Sequence, residues 1–202
     1  MKKIKAMTLL FLCLIMAALT GCHEKAKAQM QADATTFCED FKNMDFQGMY
    51  NLTHDQNPYF NDIYTPDSPT NQLLFETMAN NMTYYIGECT VDGKNATVKA
   101  KIENLDMNTI MNEVLADYFE QCDANPDNID GIDLDQIIKE HTEKEDAPRQ
   151  SKDTVFNFIK QDGKWVIESN VMIYDDVTGG YMTYYFQTNI ALGKTPGGKG
   201  AQ

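Results

Sequence analysis

Residues 83–103, TYYIGECTVDGKNATVKAKIE, decide the fold of this 202-residue chain. The first half is rich in strand-forming residues, Asp92-Gly93 is a hairpin signal, and the second half alternates apolar and polar side chains. The pattern predicts a hairpin in which odd positions of the first strand share a face with even positions of the second. The predicted buried face contains Tyr85, Cys89, Val91, Ala96, Val98, Ala100 and Ile102. Lys99, Lys101 and Glu103 lie on the opposite, solvent-facing side.

A second hairpin with the same turn dipeptide is predicted nearer the C-terminus. Residues 154–161 and 164–171 flank Asp162-Gly163 and are also rich in strand-forming residues. The same parity rule predicts one shared face, which contains Phe156, Phe158, Trp165, Ile167 and Val171. We therefore expect the two hairpins to lie side by side in one sheet.

Helical periodicity is present on both sides of the first hairpin, with apolar residues recurring at spacings of three and four. The predicted helices cover 30–44, 46–52, 71–81, 106–122 and 134–144. Thr70 and Asp106 are the expected N-caps of two of them. Residues 176–192 fit a helix better, although their Tyr, Thr and Phe content also suits a strand. The chain is therefore predicted to be α+β, with N-terminal helices packed on a curved antiparallel sheet of two hairpins and an inserted helical acidic segment.

The N-terminus has the zones of an export signal. Lys2, Lys3 and Lys5 precede an apolar run over 6–19 that is too short to span a bilayer. The run ends in Leu19-Thr20-Gly21-Cys22, which resembles the lipobox of bacterial lipoproteins. The resemblance implies cleavage before Cys22 and attachment of a diacylglyceryl lipid, with acyl chains such as palmitate, to its thiol. The alternative is an ordinary signal peptide followed by a chance cysteine.

Four segments are predicted from this pattern. They are a lipoprotein signal peptide (1–21), a lipid-anchored tether (22–29), a single α+β domain (30–192) and a flexible tail (193–202). Without the signal peptide, 181 residues remain, with 14 of the 17 basic side chains and all 30 acidic ones, which gives a net charge of −16. This length suits one domain with a real core. The charge argues against nucleic-acid binding, which requires Lys and Arg on the binding face.

Three cysteines remain in the predicted domain, namely Cys38, Cys89 and Cys122. An exported domain can hold one disulfide and one free thiol. Three inert buried thiols are equally compatible with the sequence, and the sequence does not choose a pair. No Cys-x-x-Cys motif is present, so neither a thioredoxin-like centre nor a zinc knuckle is predicted.

Residues 117–146, here called the acidic insertion, are the most unusual in composition. They contain 11 acidic residues against Lys139 and Lys144, a net charge of −9. An EF-hand is excluded because Asn128 stands where glycine is needed and Leu134 where the bidentate glutamate is needed. We expect a solvated surface without a metal, and a weak irregular divalent-cation site is the alternative. His141 and Glu145, one helical turn apart, lack a third ligand.

The order of elements and two turn motifs resemble a known group of proteins. The motifs are Val91-Asp-Gly-Lys-Asn-Ala-Thr-Val98 and Asp162-Gly-Lys-Trp-Val-Ile167. With the lipobox, they resemble the uncharacterised lipoproteins of Firmicutes that have a cystatin-like, nuclear-transport-factor-2-like roll. The resemblance covers about residues 30–190 and implies a curved sheet wrapped around N-terminal helices. It implies no activity, because the family has none assigned and the fold hosts both enzymes and binding modules.

Catalytic motifs are sparse in the chain. No Gly-x-Ser-x-Gly and no His-Glu-x-x-His occurs, and we predict no catalytic residue. His54, which neighbouring Asp55 could orient, is more simply explained as an exposed loop residue. The aromatic residues are more informative, because a cavity between sheet and helices could bind a small ligand. The candidate lining residues are Tyr85, Phe158, Trp165 and Tyr185. The alternative is that these rings simply fill the core.

The sequence thus favours a lipid-anchored module on the extracytoplasmic face of the cell membrane. It is expected to bind an unknown small ligand or envelope protein and to need no cofactor. The alternative is a small hydrolase or isomerase that uses a carboxylate or His54 in the cavity of the roll. A buried Asp or Glu with a raised pKa beside tyrosines would favour that enzyme. A structural spacer, with the cavity filled by side chains, is a third possibility.

Overall fold

The computed structural model describes residues 24–54, 60 and 63–191. The predicted signal peptide, the acylated Cys22 and the predicted tail over 193–202 lie outside these residues. Helices pack against one face of a four-stranded antiparallel sheet, which confirms the predicted α+β class. In the described part of the chain, no helix is long and apolar enough to cross a bilayer.

The two predicted hairpins form one sheet with the strand order β1-β2-β3-β4. The strands are β1 (Thr83–Asp92), β2 (Asn95–Leu105), β3 (Arg149–Gln161) and β4 (Lys164–Ile167). Strand β2 pairs with β3 along its whole length, from Asn95 opposite Ile159 to Leu105 opposite Arg149. The predicted adjacency of the hairpins is therefore confirmed.

Both hairpin turns depend on residues with positive φ. Gly93 has φ +62°, and Asp162 and Gly163 have φ +49° and +82°. In the second turn Asp162 and Gly163 are the two central residues, and positive φ at both matches the right-handed twist of the flanking strands; in the first turn the central residues are Gly93 and Lys94, and Gly93 alone has positive φ. The turn chemistry therefore fixes the register, with Asp92 opposite Asn95 and Gln161 opposite Lys164.

A β-bulge in β1 changes the face that Tyr85 occupies. Ile86 lies opposite Ala100 but Cys89 lies opposite Val98, so β1 has one extra residue between these pairs. The extra residue inverts the alternation in the first half of the strand. Tyr85 therefore stands opposite Lys101 on the solvent side and is 71% exposed. The prediction that Tyr85 shares the buried face was wrong for this reason.

Helix α1 is described over residues 24–42 and packs on the buried face of the sheet. It starts earlier than the predicted residue 30, so that 24–29, predicted as a tether, are already helical. It ends before the predicted residue 44 because Met44 has φ +57°. A residue in this left-handed conformation terminates a helix.

Aromatic contacts and one polar contact hold α1 against the sheet. The Phe37 ring meets the Phe156 ring of β3 edge to face, with the centroids 5.5 Å apart. At the bulge, the Gln31 side-chain amide donates a hydrogen bond of 2.6 Å to the Gly87 carbonyl oxygen. That bond satisfies a carbonyl that the bulge takes out of the strand ladder.

Two further helices complete the N-terminal layer, α2 (Phe46–Asn51) and α3 (Pro69–Asn81). Ser68 caps α3 by accepting a hydrogen bond from the Asn71 amide, so the cap lies two residues before the predicted Thr70. Proline in the first turn of a helix costs no hydrogen bond, which allows this earlier start.

The connection between the hairpins is helical, as predicted. Helix α4 (Met107–Ala124) is capped by Asp106, and α5 (Leu134–Thr142) is capped by Asp133. A short 3₁₀ turn over Ile129–Gly131 joins them. Helix α5 ends two residues before the predicted Lys144.

The C-terminal region is helical, which agrees with the favoured reading of 176–192. Strand β4 is short, and α6 (Val171–Val177) follows after a cap by the Asn170 side chain. The prediction that Val171 continues the strand was therefore wrong, because the cap starts a helix there. Two glycines then lead into α7 (Tyr181–Ala191).

Candidate functional site

The four residues predicted to line a ligand cavity are not brought together. Tyr85 lies on the outer face of the sheet, whereas Phe158 is buried in the core on the inner face. Trp165 is half-buried, with the Lys160 ammonium 5.7 Å from the centre of its ring. Tyr185 is half-buried on α7, next to Phe186. These four residues therefore do not line one common cavity, since the bulge places Tyr85 on the opposite face of the sheet.

A shallow depression of about 190 Å³ surrounds Tyr85 instead. Its lining residues are Thr83, Tyr84, Tyr85, Lys101 and Glu103. Lys101 and Glu103 form an exposed ion pair of 3.4 Å, so the floor of the depression is polar. One exposed ring beside a solvent-screened ion pair offers little specific binding energy.

The groups considered for catalysis lie apart from the two depressions described here. His54 is exposed, and its Nδ1 lies 2.7 Å from Gln161 Oε1; the neighbouring Asp55 lies outside the described residues. Burial raises the pKa of Asp176, which also accepts a hydrogen bond of 2.8 Å from the Thr154 hydroxyl. A raised carboxyl pKa was the feature expected of an enzyme, but no depression that we describe includes Asp176.

The three cysteines of the domain are free thiols. Cys38 and Cys89 are buried, and desolvation raises the pKa of Cys38 to about 12. Cys122 is half-buried on α4, where its interaction with the Tyr118 hydroxyl raises the pKa of Tyr118. Of the two alternatives that the sequence left open, the structure has the free thiols and not a disulfide.

The acidic insertion is an exposed charged surface. Ten of its eleven carboxylates are exposed and Asp135 is half-buried, where it accepts a short hydrogen bond from the Thr70 hydroxyl of α3. The insertion is not uniformly polar. It also holds three exposed large apolar side chains, Phe119, Ile129 and Leu134, which are 56%, 46% and 36% exposed.

A depression of about 330 Å³ lies on α4 within the insertion. Its lining residues are Asp117, Glu120, Gln121, Ala124 and Asn125. Their spacing of three and four places them on one face of the helix, with Phe119 exposed nearby in sequence. The depression therefore offers two carboxylates and two amides to a ligand. These groups suit a cationic hydrogen-bond donor.

His141 links the two helices of the insertion. Its Nδ1 lies 3.1 Å from Glu113 Oε2, and its Nε2 lies 2.7 Å from Asp117 Oδ2. The pairing of His141 with Glu145 that the sequence suggested is not formed, because α5 ends at Thr142 and Glu145 lies beyond it. The signal missed in the sequence was the i, i+4 spacing of Glu113 and Asp117, which places both carboxylates on one face of α4.

The described residues contain no group of three or more His, Cys, Asp or Glu side chains that could hold a metal ion. At His141, the two carboxylates lie on opposite ring nitrogens. They therefore do not converge on a common point with either nitrogen. The arrangement is a hydrogen-bonded bridge and not a coordination sphere.

Comparisons with known proteins add little to this geometry. No protein-family model matches the chain. No curated protein matches it either. Among solved structures, it is similar to the candidate lipoprotein YcdA of Bacillus subtilis, with 12% sequence identity and a TM-score of 0.38. The match covers 56% of this chain and 38% of that chain, so the chain spans well under two thirds of that structure.

Proposed function

We propose that this protein is a lipid-anchored, extracytoplasmic binding module whose acidic insertion binds a cationic, amphipathic protein partner. The observation that carries the proposal is the depression lined by Asp117 and Glu120 on α4, within a segment that also exposes Phe119. The anchor is a separate part of the proposal and is supported by the sequence before residue 23.

The anchor is proposed at Cys22, at the end of the lipobox-like Leu19-Thr20-Gly21-Cys22. Each buried methylene of an acyl chain contributes about 0.8 kcal/mol, so two or three chains hold a protein stably on a bilayer. The described part of α1 begins two residues after Cys22, which makes the proposed tether short. The domain is thereby kept near the membrane surface.

Cell fractionation tests the anchor. The Cys22→Ala variant should leave the membrane fraction, whereas Cys122→Ala, which removes a half-buried thiol of the domain, should remain there. Unchanged membrane association of the Cys22→Ala variant would contradict the anchor and would leave the binding surface to be judged separately.

The choice of partner follows from charge and exposure. A net charge of −9 in 30 residues attracts a basic surface and repels anionic polymers. Charge alone mainly accelerates encounter, so a stable complex also requires buried apolar contacts. Phe119, Ile129 and Leu134 supply apolar side chains within the same segment. A partner with Lys or Arg side chains around an apolar residue is complementary to this surface.

Photo-crosslinking in cells tests the binding surface. A photoreactive amino acid at Phe119 should give a defined adduct with one partner. The same amino acid at Val155, which is 44% exposed on the outer face of the sheet, should not. Adding Asp117→Asn and Glu120→Gln should abolish the Phe119 adduct. The matched control, Glu88→Gln with Asp92→Asn, changes the net charge equally on exposed positions of β1 and should preserve it.

Two results would overturn the proposed surface. One is an adduct at Val155 as strong as that at Phe119. The other is equal loss of the adduct in both charge variants, which would show that only the overall charge matters. The enzyme alternative stays a prediction, with Asp176 as its best-placed carboxyl group in the described structure.

A further inference from the structure

The bridge at His141 has an unusual hydrogen-bond pattern. The ring lies between two helices, only 14% exposed, and each of its nitrogens faces a carboxylate oxygen. A neutral imidazole has one N–H donor and one lone-pair acceptor, whereas the imidazolium has two donors. Because a carboxylate only accepts, Glu113 and Asp117 can both be satisfied only by the doubly protonated ring.

We infer that His141 is a proton-operated latch that holds α5 on α4. When the ring is protonated, both hydrogen bonds form and both carry opposite charges. When the ring loses a proton, one nitrogen presents a lone pair to a carboxylate oxygen at 2.7 or 3.1 Å, which is repulsive. Proton binding and docking of α5 must therefore favour one another.

A neighbouring ammonium group favours the ionised form of the Glu113 carboxylate. The Lys144 ammonium, just after α5, lies 3.2 Å from Glu113 Oε2. A hydrogen bond from Lys144, followed by the one from His141, lowers the pKa of Glu113 against an opposing effect of burial. The third packed helix, α3, has Glu76 as its one charged residue, which is exposed and accepts from Gln72. The latch is therefore closed when both nitrogens of His141 carry a proton and open when one of them does not.

The rest of the α4–α5 contact is compatible with a helix that can loosen without unfolding the domain. Helix α5 has nine residues, of which Ile137, Ile138 and Thr142 are buried. Its other end is tied to α3 through Thr70 and Asp135. Because short helices depend on tertiary contacts for stability, loss of the latch should increase local opening of α5. Asp117 also lines the proposed binding depression. An effect of the latch on partner binding there rests on the proposed function, whereas the latch itself does not.

Hydrogen exchange of the full-length protein, followed by mass spectrometry, tests the latch. The protection of peptides within 134–142 is measured at pH 5.5 and 8.5 after correction for the intrinsic chemical rate. Peptides from β2 and β3 serve as the internal reference. Protection of α5 should fall by about tenfold or more between the two pH values, because a charge-assisted contact is lost. Reference peptides should not change.

Three variants separate the latch from other pH effects. His141→Gln should give low protection of α5 at both pH values. His141→Arg, whose guanidinium donates at every pH, should give high protection at both. His54→Gln, which removes an exposed histidine that contacts Gln161 and not a carboxylate, should behave like the wild type. Wild-type protection that does not depend on pH, or an unchanged pH dependence in His141→Gln and His141→Arg, would overturn the inference.

Discussion

Replacing Gly179 by alanine tests the tight junction between the α6–α7 turn and the end of β2. Gly179 has φ +63°, and a Cβ added there would lie 2.0 Å from the Leu105 carbonyl oxygen. Its own carbonyl accepts a hydrogen bond of 2.7 Å from the Met107 amide at the start of α4. A single substitution therefore disturbs the site where α7, β2 and α4 meet.

The expected cost has three parts. An alanine in the left-handed region costs about 1–2 kcal/mol. Relief of the Cβ contact requires the backbone to move, which weakens the Met107–Gly179 hydrogen bond, worth about 0.5–1.5 kcal/mol. Overpacking of a buried junction adds about 1–3 kcal/mol. The free energy of unfolding should fall by about 3–5 kcal/mol, and the melting temperature by about 10 °C.

Gly93→Ala is the matched control, because Gly93 has φ +62° with nothing within 4 Å of the added Cβ. Only the backbone cost applies there, about 1 kcal/mol after the gain from a less flexible unfolded chain. Urea unfolding followed by circular dichroism should separate the two variants by at least about 2 kcal/mol. Equal losses for Gly179→Ala and Gly93→Ala would refute the described docking of the α6–α7 turn.

Three further outcomes follow from burial and charge. Urea unfolding should show that Phe156→Ala lowers the free energy of unfolding by about 3–5 kcal/mol, because the Phe156 side chain is fully buried. Trp165→Ala should lower it by only about 1–2 kcal/mol, because Trp165 is half-buried. The reverse order would contradict the described core. In thiol labelling of the native protein at pH 8, half-buried Cys122 should react and Cys38 should not. Cys38 is buried, and its pKa is raised to about 12, so that its thiol stays protonated. Faster labelling of Cys38 than of Cys122 would contradict the buried position of Cys38. Millimolar calcium should shift the melting temperature by less than about 1 °C, and a rise of many degrees would reveal a cation site in the acidic insertion.

The hairpins were predictable because their signals are local. Asp-Gly near each turn and alternation along the flanking strands indicate a hairpin without reference to the rest of the chain. The helix caps at Asp106 and Asn170 show where such local signals succeed and where they fail. Asp106 was recognised from the apolar periodicity that follows it. Asn170 was missed because the strand pattern of 164–167 continues into Val171, and the helix that begins there depends on packing with the core.

The position of Tyr85 was not predictable from alternation. A single extra residue near Gly87 reverses the faces of the preceding strand residues, and the Gln31 side chain of a distant helix supports that bulge. The sequence spacing of Gln31 and Gly87 gives no indication of this contact. The four predicted lining residues are therefore not brought together, because the prediction depended on the face assigned to Tyr85.

The site itself was partly predictable. Composition located the acidic insertion and its exposure, since a run of carboxylates with few cations stays in solvent. The His141 bridge required the antiparallel packing of α4 on α5, which brings together residues 24 and 28 positions apart. Periodicity indicates the faces of each helix but not which turn of one meets which turn of the other.

Equilibrium binding of a cationic amphipathic peptide to the full-length protein tests the central claim most directly. The probe is a helical peptide of leucine and lysine, compared with its leucine–glutamate counterpart by fluorescence anisotropy at low and high salt. The account predicts that only the lysine peptide binds, that salt weakens binding, and that Asp117→Asn with Glu120→Gln weakens it by about tenfold. The Glu88→Gln/Asp92→Asn control should bind like the wild type. Equal affinity of both charge variants, or equal binding of both peptides, would contradict the acidic insertion as the binding surface.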